Sequence, residues 1–313
     1  MYLHPFEFRL LKQLRRDLPE NSPEFLVLVS GGKDSMSLLH AMNKLVKHSN
    51  GDIFAKAKVE VMHFNHKTRG DENSREEELV VDTCLNLGVP VTVKTLEADV
   101  TQHNFHSMAR QWRYSEAKKH IADWKSPWIC TAHHKDDQAE TVLHNLFRGT
   151  GIDGLKGIQY ISEQERILRP FLNSSQKEVL KYLQESHIPF IEDSSNLSLK
   201  YKRNEIRQKL IPMIEKIFPE YLDRVFHLTQ VLQESEQENL PESKTEEYIY
   251  RGKNGLHSFL KSQGANLTQK QLQNLEAQIN ALSSKKVPRE ISIGSGNVVR
   301  VHPCLGVSVK KTH

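Results

Sequence analysis

From Phe25 onward, short apolar runs alternate along the chain with stretches whose apolar residues recur at helical spacing. Phe25–Val29 (FLVLV) is apolar throughout, the pattern of a strand buried on both faces of a parallel sheet. Behind it, Leu38, Leu39, Met42, Leu45 and Val46 form one apolar helical stripe. Val59–Phe64 predicts a second strand, followed by a helix with Leu79, Val80, Thr83, Cys84 and Leu87 on one face. Val89–Leu96 predicts a third strand, and a helix near Asn104–Asp123 buries Phe105, Met108 and Trp112. Trp128–His133 predicts a fourth strand, and the next helix carries Ala139, Val142, Leu143 and Leu146. This alternation predicts an α/β domain built on a doubly wound, mostly parallel sheet. Such sheets bind ligands beyond the carboxyl ends of their strands, where the strand order reverses.

Past a glycine-rich stretch, Arg148–Gly157, the pattern gives a strand at Ile167–Leu172 and a helix around Ser175–Ser186. A basic helix from Arg203 to Ile217 closes the expected first domain, residues 1–217. The polar segment Gln233–Glu247 reads as a linker or an exposed helix end. Beyond it come a helix with Leu267, Leu272 and Leu275 and a hairpin of Glu290–Ile293 and Val298–Val301, turning through Gly294–Asn297. Residues 218–313 are therefore expected to form a smaller α+β domain. A length of 313 residues suits two domains, and 37% hydrophobic with 26% charged residues is ordinary for buried cores.

Composition narrows the setting. Cys84, Cys130 and Cys304 are odd in number and far apart, fitting neither a disulfide framework nor a CxxC motif. The first residues are broken by charges and lack the apolar core of a signal peptide. No apolar run approaches the ~18–20 residues that span a bilayer. A cytoplasmic protein without a membrane partner is the expectation, with the oligomeric state open, a homo-oligomer included. A net charge of +4 and a pI near 8.8 permit a nucleic-acid partner without requiring one.

Two polar clusters follow predicted strands directly. The first is Ser30-Gly31-Gly32-Lys33-Asp34-Ser35, a glycine turn opening into a helix. The glycines let the backbone approach an anion, and the free N–H groups with the helix dipole hold it. Ser30 and Ser35 add hydroxyl donors. Asp34 would repel phosphate unless a cation intervenes, which points to Mg²⁺ on a polyphosphate. The bland alternative is a capped helix entry after a glycine turn. The loop is neither GxxxxGK[ST] nor GxGxxG.

The second cluster is Ala132-His133-His134-Lys135-Asp136-Asp137-Gln138-Ala139-Glu140-Thr141. Asp136 and Glu140, four apart, share one helix face away from the apolar stripe. Carboxylates aimed into a cleft suit a cationic substrate or a metal. A solvated acidic first turn on the helix dipole would explain the two aspartates alone. It accounts poorly for His133, His134 and Gln138.

The loop resembles the SGGxDS signature of the PP-loop ATP pyrophosphatases, which transfer AMP and release pyrophosphate. The wider order of motifs is similar to that of the tRNA(Ile)-lysidine synthase family. It runs through Asn65-His66 with Arg69-Gly70, Ala109-Arg110 to Arg113-Tyr114, the 132–141 cluster, and Arg148-Gly149 to Gly151. It continues in Arg169–Leu172, Glu192–Asn196 and Arg203-Asn204 to Arg207, covering about Leu26 to Pro212. Residues 256–309 look more loosely like that family's small domain. Longer members continue into a further C-terminal domain, whose tRNA contacts are expected to be absent or replaced here.

The resemblance implies that ATP adenylylates carbon 2 of the wobble cytidine in a CAU-anticodon isoleucine tRNA, and that free L-lysine then displaces AMP. It implies ATP contacts from Ser30, Gly31, Gly32, Lys33, Asp34, Ser35 and His133, with Asp34 holding Mg²⁺ through the nucleotide. Asp34, Arg113 and Asp137 become the catalytic candidates, and Asp136, Asp137 and Glu140 the lysine pocket. Arg110, Arg203, Asn204 and Arg207 become candidates for tRNA or phosphate contacts, although solvated basic faces would look alike in sequence. Lys285, Lys286, Arg289 and Arg300 are candidate tRNA contacts of the second domain. A PP-loop tRNA thiolase is the nearest alternative, yet such enzymes usually carry paired cysteines. An adenylylating small-molecule ligase or a silent tRNA-binding protein would not call for both intact clusters.

Overall fold

The computed structural model describes residues 2–18, 22–48, 54, 56–67, 71–96, 105–192, 202–237, 248–249, 289–294, 297–302 and 306–311. An N-terminal helix α1, Pro5–Asp17, starts at a His4 cap with Pro5 in its first turn. Then follow β1 (Glu24–Val29), α2 (Lys33–His48), β2 (Lys58–Asn65), α3 (Asp71–Leu87), β3 (Val91–Thr95), α4 (Phe105–His120), β4 (Pro127–Cys130) and α5 (Lys135–Phe147). After α6 (Ile152–Leu155) come β5 (Ile161–Ser162), β6 (Ile167–Leu168) and α7 (Gln176–Glu185).

The six strands form one sheet in the order β3-β2-β1-β4-β6-β5, parallel except for β5. The doubly wound, mostly parallel fold expected from the sequence is the fold observed. The uniformly apolar run of β1 has a direct cause. Phe25, Val27 and Val29 pack on one face among Leu10, Leu14, Leu38, Met42 and Tyr182, from α1, α2 and α7. Leu26 packs on the other among Met62, Ile129 and Ala117, the last from α4. Burial on both faces leaves no position for a polar residue.

Two expected strands stop early. β4 ends at Cys130 because its neighbour β6 pairs only through Ile129 and Cys130. One further bond, Thr131 N–H to the Leu168 carbonyl at 3.1 Å, closes the ladder. β6 ends at Leu168 because Pro170, which has no N–H, follows Arg169, and Leu172 N–H turns back to the Arg169 carbonyl at 3.0 Å.

The basic helix also has internal structure. α8 (Lys202–Glu205), a π turn (Ile206–Leu210) and α9 (Ile211–Ile217) run on continuously. Pro212 cannot donate back to residue 208, and the widened turn falls immediately before it. α10 (Tyr221–Gln237) follows.

The chain divides into two compact units, Met1–Leu232 and Gln233–His313. The first unit runs beyond Ile217 because α10 is tied to α5. Gln138 Nε2 donates to Thr229 Oγ1 at 3.0 Å, and Lys135 Nζ donates to Asp223 at 2.7 Å. The second unit contains an antiparallel sheet ordered β7 (Tyr248–Ile249), β10 (Gly306–Lys311), β9 (Asn297–His302), β8 (Arg289–Gly294). Its β8–β9 pair is the hairpin expected from the sequence. The helix expected around Leu267–Leu275, the residues Arg69, Gly70, Lys285 and Lys286, and the 193–196 motif lie outside the described residues. Among the described residues no helix is long and apolar enough to cross a membrane.

Candidate active site

The chain leaves β1 at the sheet's centre, builds β2 and β3 outward on one side, then returns to place β4 against β1's other edge. The strand order reverses between β1 and β4, which opens a crevice at their carboxyl ends. The 30–35 loop follows β1 and the 131–137 segment follows β4. Two clusters a hundred residues apart in sequence are therefore neighbours by topology.

The first loop is held by its own hydroxyls. Ser35 Oγ accepts from Ser30 N–H at 3.1 Å, lies 3.1 Å from Ser30 Oγ and donates to the Gly32 carbonyl at 3.0 Å. Ser35 thus shapes the turn, and its one proton is already engaged there. Gly31 has φ of +90°, and a Cβ on it would lie 3.4 Å from both the carbonyl oxygen and the Cβ of Glu76. Only glycine takes that conformation without strain. Lys33 and Asp34 open α2 and are half-buried.

Asp34 reaches toward the second cluster through His134. The His134 ring is 2% exposed, with Nε2 3.8 Å from Asp34 Oδ2 and Nδ1 3.5 Å from an oxygen of both Asp136 and Asp137. Burial alone would lower the imidazole's pKa. Asp136, Asp34 and Asp137 overcome that and raise it to about 10. His134 is therefore a buried cation joining three carboxylates of two loops.

Asp136 and Asp137 each have a second attachment. Asp136 accepts from the Gln176 N–H at 2.7 Å. Although burial opposes it, that bond and His134 hold Asp136 below the usual carboxylate value. Asp137 accepts from the His134 N–H at 3.0 Å and closes the first turn of α5. Glu140, one turn on and buried, takes a bidentate pair from Arg207 at 2.5 and 3.0 Å. Burial raises its pKa, with Arg207 pulling the other way. Arg207 also lies 3.5 Å from Asp137. Among the described residues four carboxylates here face two cations, so the cluster keeps a negative excess suited to a ligand ammonium.

His133 points elsewhere. Its Nδ1 is 2.8 Å from Thr131 Oγ1. Burial, then the charges of Arg169, Arg110 and Arg113, lower its pKa to about 3, so this neighbouring imidazole is neutral. Arg110 lies over the Tyr114 ring at 5.3 Å. Arg169 is 8% exposed, donates from Nη1 to the Gln159 carbonyl at 2.6 Å, and keeps a buried, unpartnered Nε. Three arginines around a neutral histidine form a cationic side fit for phosphate.

The expected residues thus separate. Asp34, Asp136, Asp137 and Glu140 come together, and Arg110, Arg113 and His133 share a second, cationic locality. Arg207, expected among the phosphate or tRNA contacts, pairs with Glu140 in the acidic cluster. Arg203 is exposed on α8, and Asn204 beside it is half-buried. Sequence reasoning overlooked His134 and Arg169 as site residues. The available signals were a histidine at a helix cap before two aspartates and an arginine at the end of β6. Among the described residues no group of three His, Cys, Asp or Glu side chains is arranged to hold a metal by itself. Asp34 Oδ1, buried without a partner, does fit a cation shared with a bound polyphosphate.

Residues 4–214 match the family model described as a PP-loop domain. The chain is 35% identical over 237 residues to a tRNA(Ile)-lysidine synthase of Petrotoga mobilis, covering 74% of this chain and 73% of that protein. It is 35% identical to one of Chlorobaculum tepidum over 65% of this chain and 60% of the relative. It is 34% identical to one of Thermotoga maritima over 68% and 50%. The chain thus spans only about half to three quarters of the length of these relatives. Among solved structures, a U34-tRNA thiolase from Methanococcus maripaludis with its [4Fe-4S] cluster superimposes with a TM-score of 0.60. That match covers 73% of this chain and 78% of the thiolase at 16% identity, a likeness of fold. In this chain Cys84 and Cys130 are both buried, and burial pushes the Cys84 thiol up to about 11 and Cys130 higher still, away from thiolate chemistry.

Proposed function

Because the chain belongs to the PP-loop family and, within it, to the tRNA(Ile)-lysidine synthases, we propose that it ligates free lysine to the wobble cytidine of a CAU-anticodon isoleucine tRNA. In the first half-reaction the cytidine O2 attacks the α-phosphate of ATP, and the bond to pyrophosphate breaks. In the second, the lysine ε-amine attacks carbon 2, the C2–O bond breaks, and AMP leaves.

The observation that carries this reading is the meeting of the Ser30–Ser35 loop and the acidic cluster across His134, with Asp34 3.8 Å from that ring. One crevice then holds a place for polyphosphate and a place for an ammonium. The loop N–H groups and Lys33 receive the phosphates, and Arg113 with Arg110 and Arg169 meets charge on the α-phosphate as the in-line displacement proceeds. Mg²⁺ held with ATP at Asp34 would supply charge neutralisation as pyrophosphate departs. Asp136, Asp137 and Glu140 bind the lysine ammonium, and Asp137 is positioned to take its proton. Neutral His133 is available to hydrogen-bond a nucleotide. The second unit positions the tRNA.

The test is direct incubation with ATP, Mg²⁺, labelled lysine and the CAU-anticodon isoleucine tRNA. Label should enter the tRNA with equimolar AMP and pyrophosphate, and only when the wobble base is cytidine. Sulfur transfer in place of lysine incorporation would overturn the reading.

A further inference from the structure

We propose that a groove beside the acidic cluster, between the end of α5 and the α8–π-turn segment, seats an RNA nucleotide flanking the wobble position; the inference rests on the function proposed above. The groove encloses about 750 Å³, within the range of small-molecule sites. Its apolar surface comes from Phe147, Ile206 and Leu210, and its charged rim from Arg148, Lys202 and Lys209.

Phe147 is 68% exposed at the end of a helix, an unusual place to leave an aromatic ring. Arg148 is exposed and pairs with no carboxylate among the described residues. Glu205 also lines the groove, but Lys202 and Lys209 lie 3.1 and 3.4 Å from it, so the rim keeps a positive excess. An aromatic platform beside a net positive rim is the chemistry of a stacked base with its phosphate.

The groove and the acidic cluster share α5 and the π turn. Asp137, Glu140, His144 and Arg148 follow one another at helical spacing along one side of α5. His144 lines the groove and buries an Nδ1 that has no partner. Glu140 and Phe147 are two helical turns apart, roughly 10 Å. Arg207, which pins Glu140, belongs to the same π turn as Ile206 and Lys209. An RNA loop whose wobble base enters the crevice therefore brings a neighbouring nucleotide over Phe147. Unstacked loop bases are what aromatic side chains take up in RNA recognition.

The experiment measures binding of a fluorescent CAU anticodon stem-loop RNA to the full chain by anisotropy, alongside lysine incorporation into the same RNA. Phe147→Ala should weaken binding at least about fivefold, the low end of base–aromatic stacking, while Phe147→Trp keeps it. Arg148→Ala should lower the slope of log affinity against log salt by roughly 0.7, one single-strand phosphate contact. An abasic residue on one side of the wobble position should weaken binding to the wild type and add nothing in Phe147→Ala. Unchanged affinity in Phe147→Ala, with an unchanged melting profile, overturns the proposal. So does an abasic effect that is fully retained in the variant, which would leave the groove to another partner such as a peptide. Normal lysine incorporation with either result removes the groove and leaves the function standing. Base-dependent binding without lysine incorporation does the reverse.

Discussion

His133 and His134 are adjacent in sequence, and their protonation states are opposite. One ring lies among arginines and stays neutral; the other lies among three carboxylates and stays charged. Between about pH 5 and 8, side-chain ¹⁵N spectra should show no titration of either, with His133 neutral and His134 protonated throughout. The folded value of His134, about 10, lies above the ordinary ~6.5. Its stabilisation is therefore complete below ~6.5 and is lost as pH rises through about 10. Urea unfolding of metal-free protein should show that alkaline loss, and His134→Asn should flatten it. Arg207 makes the second residue-scale case. Its removal strands a buried Glu140, so Arg207→Ala should cost about 1–3 kcal/mol and raise the KM for lysine. Arg207→Lys should not restore either value, because a single ammonium cannot reproduce the fork geometry. The residue types of this cluster could be read from the sequence. Which cation neutralises which carboxylate could not, since Arg207 and Glu140 are 67 positions apart.

At the scale of elements, α5 joins most of the machinery. Its first turn carries the aspartates, its middle Glu140, and its inner face is fixed by Gln138. That amide accepts from Ile158 N–H at 2.5 Å and donates to the Ile158 carbonyl and Thr229 Oγ1, both at 3.0 Å. Gly157, with φ of +65°, leaves the space this side chain fills, since a Cβ there would meet Gln138 at 2.6 Å. Gln138→Ala should cost about 1–3 kcal/mol by orphaning buried polar groups. Hydrogen exchange should localise the loosening to α10 and the 157–160 loop rather than to β1. Amphipathic spacing foretold α5 itself, because its Val142 and Leu143 must face a core. It could not foretell that Gln138, a polar residue, would be buried by α10.

For the whole molecule, both apolar clusters around the six-stranded sheet belong to the first compact unit, Met1–Leu232. A chain ending at Gln237, which keeps α10, should retain cooperative unfolding and ATP affinity by calorimetry. Its affinity for intact tRNA should fall, because the second unit is proposed to position the tRNA. Loss of ATP binding on that truncation would place part of the nucleotide site in the second unit. The sequence by itself determined the parallel sheet, since runs apolar at every position satisfy burial only between two helical layers. It also marked the turn after β1, because a glycine there permits the positive φ that Gly31 adopts before α2 begins. Tertiary structure alone decided what surrounds that loop. β4 returns beside β1 and brings His134 to Asp34, while the π turn brings Arg207 to Glu140, and α4 and the end of β6 bring the three arginines to His133. Charge interactions act through space over a few ångströms, so the protonation and pairing seen in this crevice exist only once the chain has folded.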